Sequence, residues 1–269
     1  SKKKRKILKV GLLLNSYNIP LWEYVLINKL IDSHYASINL VVLNESYRVK
    51  NSFLEKVKGK WEFFFFHLYN LFDQYFFKVE RNAFEIKDAS LILGEINSIT
   101  LKPHTNPDSS CLKFEDIEKI KNHNLDVLLK LGSGVIKGDI LSASKFGVWS
   151  YCYGHSSINN GEPAGFWEVF ENNDVTGSTL QILSNYSDKG RILFKSFSAT
   201  NKVSVHRNRN NCYWKSLSFL PRKLENLYNL GGEEFFRSVD RLNRHPIIYS
   251  NNLYGMHDAS NWKMLIMLV

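Results

Sequence analysis

The spacing of apolar residues changes period repeatedly along this chain. KILKVGLLL, with its core at 7–14, is a continuous apolar run too short for a helix, and polar NSYN and Pro20 follow it. LWEYVLINKLIDS then carries apolar residues at helical spacing, with Leu21, Tyr24, Val25, Leu26 and Leu30 on one face. INLVVLNE (38–45) is rich in β-branched residues and predicts a second strand. Strand, helix and strand in this order predict a parallel pair joined by a right-handed crossover, the opening of a doubly wound α/β sheet. Further on, SLILGEI predicts a short strand, KPHTNPDSSC a loop, FEDIEKIKNHN (114–124) a helix and LDVLLKLG (125–132) a buried strand. GDILSASKFG (138–147) predicts a short helix before the strand VWSYCY (148–153), and a helix running to about Glu171 follows. STLQIL and RILFKSF, joined by a short connection, predict an antiparallel pair and so a mixed sheet. After Ala199 the pattern is helical, in SVHRNRNNCYWKSLSFLPRKLENLYNLG and GEEFFRSVDRL. This divides the chain into an α/β domain, 1–200, and a helical C-terminal extension, 201–269.

Two segments stand apart from the pattern. WEFFFFHLYNLFDQYFF is dense in aromatics, and Glu62, His67, Asn70, Asp73 and Gln74 interrupt it. It predicts a helix or helix pair covering the sheet or a partner subunit, which leaves a homo-oligomer open. The apolar stretch NWKMLIMLV (261–269) suggests either an interface or a chain that continues.

Composition narrows the class. Across 269 residues, 44% hydrophobic content and 14% aromatics fit a globular protein. Cys111, Cys152 and Cys212 are widely spaced and form no pattern with histidines, which points to a reducing, cytoplasmic setting and to no metal. No segment reaches the roughly 18 uninterrupted apolar residues of a membrane span, and SKKKRK is not followed by a secretory apolar stretch. A net charge of +9 favours phosphorylated or otherwise anionic small molecules without singling out nucleic acid.

In open parallel sheets ligands gather beyond the carboxyl ends of the strands. LGSGVIKGD and GHSSINNGEPAG fall there. Gly132, Gly134 and Gly138 permit close approach of a flat ligand to main chain, yet they form neither a dinucleotide fingerprint nor a phosphate loop ending in Gly-Lys-Ser/Thr. Arg207 and Arg209 project about 200° apart on a helix and could flank a phosphate-bearing substrate or be solvated surface.

The run FEDIEKIKNHNLDVLLKLGSGVIKGDILSASKFGVWSY, with VTGSTLQIL and SDKGRILFKSF, resembles the catalytic half of the 10-formyltetrahydrofolate-dependent formyltransferases over roughly residues 115–200. The resemblance implies a Rossmann-like formyltransferase fold with a mostly parallel, mixed sheet. It also implies 10-formyltetrahydrofolate as formyl donor, its pterin lying against main chain at Leu131, Gly132, Ser133, Gly134, Val135 and Ile136. Family members place an asparagine, a histidine two residues later and a distant aspartate around the formyl carbon. Asp188 matches the aspartate, whereas Tyr151 and Tyr153 stand where the asparagine and histidine would be. The only imidazole in the crossing is His155, two positions late, with Asn159 and Asn160 as candidate oxyanion donors. The expected activity is formyl transfer to the amine of a sugar-type acceptor. An inactive binding protein and a formyltetrahydrofolate hydrolase are the alternatives.

Overall fold

The computed structural model describes residues 5–44, 64–101, 112–132, 134, 136–154, 164–185 and 190–244. Its framework is a seven-stranded sheet in the order β5-β3-β1-β6-β7-β8-β9. Strands β1 (Leu8–Leu14), β3 (Ala36–Asn44), β5 (Ser98–Leu101), β6 (Val127–Lys130) and β7 (Val148–Tyr153) run parallel. Strands β8 (Val175–Ile182) and β9 (Arg191–Ala199) are antiparallel, which makes the sheet mixed. The order reverses at β1, which pairs with β3 on one side and β6 on the other: Val10 stands opposite Ile38 and Val127.

Burial on both faces explains the unbroken apolar run of β1. Val10, Leu12 and Leu14 join one core, and Leu13 joins the other. Helix α1 (Leu21–Ile31) lies in the first core with α7 (Phe219–Leu230) and α8 (Gly232–Asn243). The second core holds Ile117 and Ile120 of α4 (Phe114–Asn122) and Ile140 of a 3-10 turn (Asp139–Ser142).

Three local expectations are corrected. Helix α1 buries Leu26 and Leu30 of its expected face, whereas Trp22, Glu23 and Ile27 take the places expected of Leu21, Tyr24 and Val25, which are half-buried. Its rotation is set by tertiary hydrogen bonds that periodicity does not encode, from Leu21 N–H to the Glu85 carbonyl (2.7 Å) and from Trp22 N–H to the Ala83 carbonyl (3.1 Å). Those acceptors adjoin a small antiparallel ribbon, β2 (Asn18–Pro20) with β4 (Ile86–Asp88), whose strands are too short for an alternation signal. SLILGEI does not form a strand: Asp88 Oδ1 accepts from Ser90 N–H at 2.8 Å and starts the one-turn helix α3 (Ser90–Leu93). Finally, α2 (Phe64–Phe76) packs on α6 (Val205–Ser216) rather than covering the sheet; Asp73 Oδ2 accepts His206 N–H at 2.6 Å near the start of α6.

The helices after β9 pack onto the sheet. The Phe235 ring of α8 stacks on Trp149 of β7, with centroids 5.8 Å apart. Asn243 at the end of α8 pairs with both backbone groups of Ile192, each at 2.9 Å.

Candidate active site

Strand β6 ends at Lys130 beside Ser150 of β7, so the loops leaving these two strands are neighbours at the carboxyl edge. The first stays close to β1: Leu131 N–H and Gly132 N–H both donate to the Leu13 carbonyl at 3.1 Å. A Cβ at Gly132 would lie 2.5 Å from Asn15 Oδ1, so only glycine fits without displacing Asn15. Lys130 Nζ donates to the Gly132 carbonyl at 3.0 Å and ties the loop down from below. Further along, Ile136 is buried in the second core and Gly138 has a φ of +82°. Gly138 N–H donates to Asn185 Oδ1 at 2.8 Å, joining this loop to the segment after β8.

Beside Lys130 lies a feature invisible to motif reading. Glu23, in the first turn of α1, is 5% exposed, and burial pushes its carboxyl up to about 8 against the opposing pull of Lys130. At neutral pH this side chain is mainly a protonated acid. A glutamate among Leu, Trp and Tyr in a helical pattern carries no sequence signal of burial beyond its place in the first turn.

On the β7 side the edge is filled with aromatic rings. Tyr153 stacks on Tyr213 of α6 at 3.7 Å between centroids, Tyr151 stacks on Tyr153 at 5.9 Å, and Trp22 meets Tyr151, Tyr153 and Tyr213 edge-on at 5.7, 6.3 and 5.2 Å. The hydroxyls of Tyr151 and Tyr153 are satisfied internally. Tyr153 shares a 2.9 Å hydrogen bond with Ser216 Oγ, while Tyr151 donates to the Ser216 carbonyl and accepts from Leu220 N–H, both at 3.2 Å. Burial first, then the neighbouring Tyr213 and Tyr151, lift the Tyr153 phenol well above its ordinary range, and burial lifts Tyr151 as well. Neither phenol can act as a base at neutral pH. The side chain of Tyr153 points into helix α6.

Beyond Tyr153 the chain continues for one ladder position, with Gly154 N–H donating to the Gly177 carbonyl at 2.9 Å. His155, Asn159 and Asn160 in the crossing, Asp188 in the β8–β9 connection, and Ser133 and Val135 in the glycine loop lie outside the described residues. Gly154 sits at the carboxyl end of β7, whereas Leu183 N–H donates to the Val148 carbonyl at the opposite end of that strand. The crossing and the β8–β9 connection therefore depart from opposite ends of the β7–β8 pair.

Arg207 and Arg209 separate as helical geometry requires. The Arg207 guanidinium lies 5.3 Å from the Phe77 ring and donates to the Lys78 carbonyl at 3.4 Å. Arg209 lies 4.7 Å from Phe84, and its Cγ falls 3.3 Å from where a Cβ on Gly165 would be, at the end of the crossing. Its Nε is buried with no hydrogen-bond partner among the described residues. The intervening asparagines, which sequence reading passed over, hold the region together. Asn208, fully buried, donates to the Gly165 carbonyl at 2.9 Å and pairs with Thr176, and Asn210 Oδ1 accepts Ala83 N–H at 2.8 Å.

A second opening lies at the carboxyl ends of β1 and β3. This cleft of about 360 Å³ is lined by Asn15, Ser16, Tyr17, Asn18, Leu43, Asp88 and Ser90. Its polar groups are amides, hydroxyls and one carboxylate, a set suited to the hydroxyls of a neutral ligand. Among the described residues no cluster of histidine, cysteine and carboxylate side chains could hold a metal ion, and no helix is long and apolar enough to cross a membrane.

No protein-family model matches the sequence, and no curated protein matches it. Solved structures do match the fold. The glycinamide ribonucleotide transformylase 1 of Symbiobacterium toebii superposes with a TM-score of 0.54 at 10% identity, over 83% of this chain and 88% of that one. The corresponding enzyme of Geobacillus kaustophilus gives 0.53 at 11% identity, over 83% of this chain and 100% of that one. The phosphoribosylglycinamide formyltransferase of Brucella melitensis gives 0.52 at 10% identity, over 84% and 97% respectively. With five parallel strands reversing order at β1 and two antiparallel strands after β7, the chain has the Rossmann-like fold of the formyltransferases.

Proposed function

We propose that the chain transfers a formyl group from 10-formyltetrahydrofolate to the amine of a sugar-type acceptor, with its reacting groups supplied by the loop beyond β7 rather than by β7 itself. The observation supporting this reading is the hydrogen bond from Gly138 to Asn185. It draws the glycine loop, where the resemblance puts the pterin, against the segment that leads into Asp188. Because Tyr151 and Tyr153 are packed and internally bonded, the base and the oxyanion donor are assigned to His155 and to Asn159 or Asn160. The acceptor amine attacks the formyl carbon, and a tetrahedral oxyanion forms that the asparagine amide stabilises. His155 takes the proton from the amine and returns it to the folate nitrogen as the carbon–nitrogen bond of the donor breaks. Asp188 is assigned to orienting the imidazole by the family resemblance alone, since its connection and the crossing leave opposite ends of the β7–β8 pair. Of the two arginines, Arg209, whose stem abuts the end of the crossing, is assigned to an anionic group on the acceptor, such as the phosphate of a nucleotide-linked sugar. Residues 201–269 serve in this reading as a helical extension of the 1–200 unit.

The tyrosine packing favours a second reading, in which the fold binds folate or a glycan without turnover. Incubation with 10-formyltetrahydrofolate and nucleotide-linked amino sugars, followed by mass spectrometry for a formylated product, distinguishes the two. Transfer that falls at least roughly a hundredfold in both His155→Ala and Asp188→Ala supports the enzyme. Calorimetric binding of a stable folate analogue without product supports the binding protein. Failure to bind the analogue sinks the enzyme and the folate-binding form of the second reading.

A further inference from the structure

The exposed side of helix α2 is apolar in a way that the described part of the fold does not use. On an α-helix Leu68, Leu71, Phe72 and Tyr75 fall within an arc of about 100°, away from Tyr69 and Asp73, which face α6. Leu71 is 68% exposed and Tyr75 70%, and Phe76 at the end of the helix extends the surface, its ring 4.4 Å from that of Phe72. These five side chains present roughly 600 Å² of apolar surface, the upper end of what a monomer leaves in one patch. A stable dimer buries more, about 800 Å² per partner.

The charge beside the patch is positive. Lys78 Nζ lies 5.9 Å from the Tyr75 ring, Arg207 reaches across to Phe77, and Arg81 follows in the same exposed turn over Trp214. Among the described acidic residues of this segment, Asp73 is 1% exposed and occupied with His206 N–H, and Glu80 is exposed. A second copy of a chain carrying +9 would bring like charges together across so small a patch. An anionic bilayer is attracted by the same charges, and a single convex row of Leu, Phe and Tyr fits the boundary between headgroups and acyl chains.

We propose that α2 is a membrane-surface contact, docking the protein on anionic lipid through Leu68, Leu71, Phe72, Tyr75 and Phe76 with Lys78 and Arg81 at the headgroups. The assignment is independent of any formyl-transfer activity. It makes the protein peripheral, lying on the bilayer without crossing it.

Co-sedimentation of the full chain with vesicles tests it. Vesicles of phosphatidylcholine containing roughly 30% phosphatidylserine should retain the protein at least about tenfold better than phosphatidylcholine alone. Leu71→Glu combined with Tyr75→Glu should lower retention about tenfold, and Lys78→Glu should lower it about threefold. Leu242→Glu, at an exposed apolar position on α8, should leave retention unchanged. All of these positions are exposed, so circular dichroism should show each variant folded. No retention on anionic vesicles, or equal retention of the Leu71/Tyr75 variant, would overturn the proposal. A concentration-dependent dimer in sedimentation velocity that the same double variant abolishes would also overturn it, assigning the patch to a second copy.

Discussion

Two aromatic regions of this molecule have similar composition and opposite fates. Trp22, Tyr151, Tyr153 and Tyr213 meet ring to ring at the carboxyl edge of β7, with the hydroxyls of Tyr151 and Tyr153 satisfied by α6 and α7. Leu68, Leu71, Phe72, Tyr75 and Phe76 of α2 stand in solvent. The difference lies in what lies opposite. The first group is contributed by a helix, a strand and a C-terminal helix that converge, so each ring finds a partner from a distant part of the chain. The second belongs to one helix that, among the described residues, packs on one side. Aromatic content by itself therefore decides neither core nor surface; the number of elements converging on it does.

Mutation should expose that contrast most strongly in stability. Tyr153→Ala removes a buried ring stacked on Tyr213 and should cost about 3–5 kcal/mol in urea unfolding. Tyr75→Ala, on the exposed row, should stay within about 0.5 kcal/mol. A comparable loss at both sites would show that α2 is covered in solution.

Glu23 sits at the border of the inner cluster, next to Trp22, and gives it a pH dependence. Its carboxyl titrates near 8 when folded and near 4.5 when unfolded. The folded state therefore holds a proton that the unfolded state has released across that window. Stability from this group is present below about pH 4.5, declines as pH rises toward 8 and is fully lost above it. Glu23→Gln keeps the neutral shape and removes the ionisation, so at pH 9 it should be more stable than wild type by up to about 5 kcal/mol. Denaturant midpoints at pH 5 and pH 9 check this; parallel curves for both proteins would refute the assignment.

Buried polar anchoring should matter less than ring packing but more than surface charge. Asn208→Ala leaves the Gly165 carbonyl and Thr176 hydroxyl without their partner and should cost about 1–3 kcal/mol. Arg207→Ala, losing a long hydrogen bond and a contact with Phe77, should cost less than about 1 kcal/mol.

Much of the framework was legible in the sequence because each of the longer strands is written by one local rule. The continuous apolar runs of β1 and β6 mean burial on both faces, and the short link between β8 and β9 forces them antiparallel. Legibility failed where an element is fixed from outside itself. The rotation of α1 depends on carbonyls at 83 and 85, and the β2–β4 ribbon depends on three residue pairs more than sixty positions apart. At the site, glycines 132 and 138 announce themselves through the backbone, whereas Glu23 and Lys130 become one unit only when α1 is laid beside β6. The tyrosines at 151 and 153 were visible as departures from the family pattern. That they face Ser216 and Tyr213 was not, because the partners lie about sixty residues downstream.

The smallest change discriminates between packing and chemistry at the inner cluster. Tyr153→Phe preserves the ring and its stack on Tyr213 and deletes only the hydroxyl. Ser216 Oγ keeps a partner, since it also donates to the Tyr213 carbonyl at 3.0 Å, so no buried group is orphaned. The expected loss is about 1 kcal/mol or less. If formyl transfer is detected, its rate should be unchanged in this variant, because a phenol held well above its ordinary range inside a ring stack exchanges no proton with substrate at neutral pH. A large fall in kcat with unaltered stability would reverse the assignment, moving the proton-handling group from the crossing back onto β7.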